Sequence, residues 1–350
     1  MKKNLGELSL IERIRSEWGA AGRAGYGRAR GVILGIGDDC AILHPPKGNE
    51  LLVTTDFTLE GSHFRRDWHP PESVGHRTLA RGLSDLAAMG ARPLAAFLSL
   101  ALPIEMLTTR ARQAWLESFF AGLRTLAQQH QVPLAGGDTS ESPCGLVLAD
   151  IVLIGSAPAG RALRRSGGRA GDALYVTGDL GGAAAELAAM QRRATKSKSK
   201  STLPRMPAPN QLDAHPQMFP QPRIPVGLAL LRRRLATATI DLSDGLSTDL
   251  AHLCRESSVG AEVSVAALPI HPLALESGPG NAIDLALHGG EDYELLFAAP
   301  PTARVPRTLA GVRVTRIGSL ERGNSITLLD SVGRRSPLQP GGWEHFKKNQ

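Results

Sequence analysis

The sequence is short of cysteine and aromatic residues and has no long apolar run. Its three cysteines, at positions 40, 144 and 254 of 350, are too few and too widely spaced for a disulfide scaffold or a local C-x-x-C metal or redox motif. Such usage fits a reducing compartment, so a cytoplasmic location is expected. The most apolar stretch, Ala95 to Ile104, spans ten residues and includes Ser99 and Pro103, well short of the roughly 18–20 apolar residues of a membrane helix. The N-terminal MKKNLGELSLIERIRS carries Glu7 and Glu12 where a signal peptide needs an apolar core, so neither export nor membrane insertion is expected.

Familiar phosphate-handling motifs are missing as well. There is no G-x-x-x-x-G-K-[ST] loop, and GIGDDC fails the dinucleotide fingerprint at its last position. There is no H-R-D or D-F-G pair and no G-x-S-x-G elbow.

What is present is an ordinary globular composition, 42% hydrophobic and 21% charged, with a net charge of +7. The positive charge is local. Residues 191–235 hold ten Lys or Arg and one Asp, while the other 305 residues hold 30 basic and 32 acidic side chains. With aromatics at only 4%, the stacking platform of a nucleic-acid binder is not expected. Binding of nucleic acid or a protein partner through 191–235 stands as an alternative reading.

Short apolar runs alternate with amphipathic stretches. Strands are expected at 32–35, 51–55, 95–102, 132–135 and 146–154, with helices at 72–89 and 109–130. A Pro/Gly break at 156–160 divides the chain into domains 1–157 and 158–350. The second half reads as strands at 172–177, 239–242, 261–265, 293–297 and 312–317, with helices at 182–193, 228–235, 246–256 and 282–287. The mixture gives an α/β (α+β) class in two domains. Residues 194–222, with KSKSKS and six prolines, are expected to form a mobile insertion.

Aspartate recurs beside Gly, Ser or Thr just past these apolar strands: GIGDD (Gly35–Asp39), TTD (Thr54–Asp56), GGDT (Gly136–Thr139) and DLSDG (Asp241–Gly245). LSDLAAMG (Ser84–Gly90) adds Asp85 inside a helix, where it could simply pair with Arg81. Any one such Asp could be a cap or turn former, Asp244 being a natural N-cap. Together, hard oxygen donors without a His/Cys set suit Mg²⁺, which usually also holds substrate phosphates. Arg164 and Arg165, ahead of Ser166–Gly168, suit a phosphate clamp.

In order, GELSLIERI, GIGDDCAIL, TTDFTLEGSHF, LSDLAAMGARP, GGDTS, GRALRRSGGRAGD, IDLSDGL, GGEDYELLF and GWEHF resemble the thiamine-monophosphate kinase family of the aminoimidazole ribonucleotide synthetase-like superfamily. The likeness covers nearly the whole chain except about 194–222. It implies a two-domain fold whose N-terminal domains pair into a homodimer barrel, and transfer of the ATP γ-phosphate to thiamine phosphate with several Mg²⁺ ions. By motif position, the family's metal ligands fall on Asp39, Thr54, Thr55, Asp56, Asp85, Asp138, Asp241 and Asp244. Its nucleotide contacts fall on Phe120, Gly137, Asp138, Arg165 and Ser243. Phe120 stands where the family has a Tyr, so that hydroxyl is lost. Substrate contacts fall on His63, Glu291 and Trp343. No general base is expected, because the attacking phosphate oxygen is already largely ionised at neutral pH. A sister synthetase of the selenophosphate or aminoimidazole ribonucleotide type is the nearest alternative.

Overall fold

The computed structural model describes residues 7–18, 31–196, 212 and 214–344. These residues form two compact units, one up to Leu86 and over Arg92–Gly160, the other over Ala87–Ala91 and from Arg161 onward.

The first unit contains α1 (Glu7–Trp18), β1 (Val32–Leu34), β2 (Ile42–Leu43), β3 (Asn49–Leu59), α2 (Pro71–Ala88), β4 (Arg92–Leu102), α3 (Arg110–His130), β5 (Leu134–Glu141) and β6 (Leu148–Pro158). Four strands make a sheet of order β3-β6-β4-β5, antiparallel except for β4 with β5. Leu79, Leu83 and Leu86 of α2 and Phe119, Leu123 and Leu126 of α3 recur at helical spacing. They are buried, as are Ile151 and Leu153 of β6. Thr109 starts α3 by accepting the backbone N–H of Arg112.

The second unit contains β7 (Ala173–Thr177), α4 (Gly182–Lys196), α5 (Ile224–Arg233), β8 (Ala238–Asp241), α6 (Leu246–Ser257) and β9 (Gly260–Ser264). It continues with α7 (Pro272–Leu275), α8 (Pro279–His288), β10 (Leu295–Ala299), β11 (Thr308–Leu309), β12 (Val312–Glu321), β13 (Ile326–Leu329) and β14 (Arg335–Pro337). Its sheet runs β14-β13-β9-β12-β7-β10-β8, with β11 added on β12, and only β13 with β9 is parallel. Leu174, Val176, Ile240, Leu250, Leu253, Leu296, Ile317 and Leu320 form its core. Strand–helix alternation in the sequence therefore does not mean a doubly wound parallel sheet here: most neighbours in the sheet are not consecutive in the chain, and apart from β13 with β9 they pair antiparallel.

The expectation of a mobile insertion over 194–222 needs correction at both ends. Residues 194–196 continue α4. Residues 215–222 are packed: Gln217, Met218 and Phe219 are buried. The carboxylate of Glu186, on α4, accepts the backbone N–H groups of Gln217 (2.9 Å) and Met218 (3.4 Å) and lies 2.7 Å from His215 Nδ1. Next to this segment, Arg223 donates through Nε to Glu294 at 2.8 Å, and a second guanidinium nitrogen pairs with the same carboxylate. Composition misled because proline costs a packed segment little conformational entropy once its φ suits the path. The rest of the insertion, 197–211 and 213, lies outside the described residues. A packed 215–222 segment predicts that Phe219→Ala costs about 3–5 kcal/mol, read as a lower urea midpoint. An unchanged midpoint would return this segment to the status of a linker.

Candidate functional site

The expected residues divide between the two units. In the first, strand alternation on β3 decides which side chains meet. Thr54 and Asp56 point to the face that carries α2. Thr54 Oγ1 donates to Asp85, and Asp56 lies 3.7 Å from Arg81. The sequence spacing offered Arg81 as a partner for Asp85; the hydroxyl of Thr54 takes that place.

Thr55 points to the opposite face, where its hydroxyl donates to Asp150 Oδ1 at 2.7 Å. Its side chain is thus turned away from those of Thr54 and Asp56. Thr54, Asp56 and Asp138 also lie within strands rather than just past them, contrary to the position expected from the sequence.

A cavity of about 590 Å³ opens in the same unit, lined by Asp39, Phe97, Phe120, Gly137 and Asp138 among others. Three of the expected nucleotide contacts, Phe120, Gly137 and Asp138, thus share one space with Asp39. Gly137 has φ 145°, and a Cβ there would stand 1.9 Å from the Leu98 carbonyl oxygen, so only glycine lets β5 run this close to β4. His63 is oriented by its own strand end: its Nδ1 accepts the Leu59 N–H at 3.0 Å, which leaves the ring proton of the neutral form on Nε2.

In the second unit, β8 and β10 pair in antiparallel register, Leu295 opposite Asp241. The ladder runs on past both strands. Leu242 N–H donates to Glu294 O, Tyr293 N–H to Leu242 O, and Glu291 N–H to Ser243 O, all at 2.8–2.9 Å. This continuation holds Glu291 and Tyr293 at φ 69° and 51°, left-handed values that cost a side-chain-bearing residue about 1–2 kcal/mol. It sets Glu291 beside the 241–245 loop.

The loop is fixed by a residue absent from the sequence-based set. Asp249, buried in the first turn of α6, accepts the backbone N–H groups of Asp244 and Gly245, both at 3.1 Å. Gly245, not Asp244, is the helix N-cap, which frees the Asp244 side chain from the capping role. The signal for Asp249 was an acid in the first helical turn after an Asp-Gly turn, a relative of the capping box. Burial pushes the Asp249 pKa well up, and the charges of Asp241 and Asp244 add to that shift, while its two N–H bonds oppose it.

The chain's C-terminal segment docks on this loop. Gly341 N–H donates to Ser247 Oγ at 3.2 Å, Gly342 N–H to Thr248 Oγ1 at 3.1 Å, and Trp343 N–H to Asp244 O at 3.0 Å. A Cβ at Gly342 would lie 1.9 Å from that same Asp244 oxygen. Trp343 is 55% exposed, so it is no buried anchor.

Arg165 is exposed on a loop tied down by Ser257, whose Oγ donates to the Arg165 carbonyl (2.8 Å) and accepts the Gly168 N–H (3.1 Å). The pKa of nearby His252 is lowered by burial first and then by Arg255 and Arg165, with Asp244 acting the other way. Arg165 and Asp244 thus both lie within electrostatic reach of one imidazole.

The donor chemistry, all oxygen, suits a hard divalent cation. Among the described residues no three His, Cys, Asp or Glu side chains converge as a ready-made metal cluster.

This two-unit fold, with acidic loops in each half, places the protein among the AIR synthase-related proteins. Family models described as "AIR synthase related protein, N-terminal domain" and "AIR synthase related protein, C-terminal domain" match residues 37–157 and 169–331. The thiamine-monophosphate kinase of Escherichia coli (strain K12) is 39% identical over 350 residues, covering 97% of this chain and 98% of its own. The solved thiamine-monophosphate kinase of Stenotrophomonas maltophilia K279a superposes with a TM-score of 0.76 at 36% identity, over 92% of this chain and 96% of its own. AaThiL complexed with AMPPCP and TMP superposes with a TM-score of 0.71 at 29% identity, over 99% of both chains. The chain belongs to the thiamine-monophosphate kinase family.

Asp292, next to Glu291, accepts the N–H groups of Gly181 (2.7 Å) and Ala183 (3.1 Å) at the start of α4. Burial pushes its pKa up to about 7, those two bonds pulling it back and Glu294 adding to the rise. In the unfolded chain this carboxyl ionises near pH 4. Its contribution to stability is therefore greatest below about pH 4 and declines as pH rises to about 7, above which it is constant. Asp292→Asn should flatten that decline, so the urea midpoint of the variant gains on wild type between pH 4 and 7. A difference independent of pH would contradict the assignment.

Proposed function

We propose that the chain transfers the γ-phosphate of ATP to thiamine phosphate, giving thiamine diphosphate and ADP. The observation that carries this reading is the continued β8–β10 ladder. It sets Glu291 beside the loop of Asp241, Ser243 and Asp244, and the bond from Trp343 N–H to Asp244 O brings the ring to the same loop, so that a carboxylate and an aromatic that suit a cationic thiazolium stand together. Similarity over nearly the full length to thiamine-monophosphate kinases supports the same conclusion.

The attacking group is a phosphate oxygen of thiamine phosphate. Its second pKa lies near 6, so no side chain need remove a proton. A new P–O bond forms to the γ-phosphorus as the bond to the β-phosphate oxygen breaks, and ADP leaves with the electron pair. The obstacle is the approach of two anions. Magnesium ions, when bound, neutralise phosphate charge. Asp39, Thr54, Asp56, Asp85 and Asp138 in one unit, and Asp241 and Asp244 in the other, would hold them, with phosphate oxygens and water completing each shell.

Phe120, Gly137 and Asp138 would receive the nucleotide in their shared cavity, Phe120 through its ring edge in place of a hydroxyl. Ser243 would contact it by its hydroxyl, and Arg165 would add positive charge at the triphosphate. Glu291 would face the substrate's cation and the Trp343 ring would stack on it. His63 would contact the substrate.

A homodimer and a cytoplasmic location complete the proposal. The outer face of β3 exposes Leu51, Val53 and Phe57 at 46%, 66% and 61%, an apolar strip suited to a second copy of the N-terminal sheet. The free thiols of Cys40 and Cys144 are exposed, a state that a reducing compartment preserves.

The test is a coupled assay with ATP, thiamine phosphate and titrated Mg²⁺. Asp56→Asn should abolish measurable turnover at saturating metal. Trp343→Ala should leave kcat near wild type and raise the KM for thiamine phosphate by about 2–30-fold, matching a cation–π contact of ~0.5–2 kcal/mol. Wild-type kcat in Asp56→Asn would remove the metal assignment, and no thiamine diphosphate from the wild-type enzyme would remove the function.

A further inference from the structure

The segment at 215–218 has no counterpart among the motifs that define the site, yet it reaches into it. Gln217 is 1% exposed, and its Nε2 donates to Glu291 Oε2 at 2.9 Å. Its own backbone is clamped by the buried Glu186, which accepts the Gln217 N–H at 2.9 Å. Glu186 lies on α4, whose first turn is capped by Asp292, the neighbour of Glu291. The connections therefore close a ring from Glu291 through Asp292, α4, Glu186 and Gln217 back to Glu291.

From this ring we propose that Gln217 is a positioning residue that fixes the Glu291 carboxylate for the cationic part of the phosphorylated substrate, and that Glu186 in turn fixes Gln217.

The chemistry of the donor matters. A carboxylate on a flexible stem loses rotamer freedom when it meets a ligand, and a fixed partner removes that cost beforehand. An Arg or Lys would do so but would also neutralise the charge that a thiazolium needs. A buried amide orients the carboxylate without itself neutralising it. Glu291 also sits at φ 69°, so its backbone is already set by the loop, and the side-chain torsions are what remains to be fixed.

The inference rests on the reading that Glu291 contacts thiamine phosphate, and its test separates the two. Gln217→Met keeps the length and apolar volume of the side chain and removes the donor. It should raise the KM for thiamine phosphate about tenfold, the scale of one hydrogen bond to a charged group. The KM for ATP, kcat and the melting temperature should stay near wild type. In a Glu291→Gln background the same change should have no further effect on KM, because the carboxylate it serves is gone.

An unchanged KM in Glu291→Gln would overturn the reading of Glu291, and this inference with it. A raised KM in Glu291→Gln with no change in Gln217→Met would overturn the inference alone, as would equal effects of Gln217→Met in both backgrounds. Should the methionine variant not fold, Gln217→Asn, whose amide is one methylene too short to reach, is read in the same way.

Discussion

Two backbone hydrogen bonds to one buried carboxylate fix the loop of the second unit on which the acids, Glu291 and Trp343 depend. Asp249 accepts from Asp244 and Gly245 and thereby fixes the 241–245 loop. That loop's carbonyls then receive Glu291 and Trp343, through Ser243 and Asp244. The acids, the carboxylate that suits a cation and the exposed aromatic ring are thus placed by one short stretch of chain. The β8–β10 ladder supplies its direction, and α6 supplies the anchor.

The arrangement sets folding against chemistry. Burial drives the Asp249 pKa well above the usual carboxylate range, and Asp241 and Asp244 stand close enough to push it further. Nearby, Asp292 is pushed to about 7 and Glu291 and Tyr293 hold left-handed backbone. Each of these costs stability in the unliganded chain, and each lies within a few residues of the proposed substrate contacts. Strain and crowded charge gather where a polyphosphate and its cations would relieve them. The surrounding core of leucine, isoleucine and valine is what tolerates the cost.

Much of this was legible in the sequence. Apolar periodicity gives α2, α3 and α6 nearly to their ends, because their buried faces repeat at fixed spacing, whereas β3, β5, β6 and β12 run four to six residues past the apolar runs that marked them. Motif order gives the residues proposed for the site. The signals failed where pairing decides. Nothing in TTD says which of three consecutive side chains turns away, and strand alternation sends Thr55 to Asp150 while Thr54 reaches Asp85. The pattern around Asp249 looks like an ordinary helix start, since its partners are backbone N–H groups from a turn of unstated shape. The 215–222 segment reads as linker by composition, and only its contacts with Glu186 and Glu291, far away in sequence, make it part of the unit.

The most direct test of the account is a single substitution at its anchor. In Asp249→Ala, with folding verified by circular dichroism, the Mg²⁺ concentration giving half-maximal rate and the KM for thiamine phosphate should rise together, roughly tenfold each. That follows because acids and substrate contacts depend on the same loop. A variant in which one rises while the other stays at the wild-type value, or in which neither moves, would contradict the claim that this carboxylate organises both.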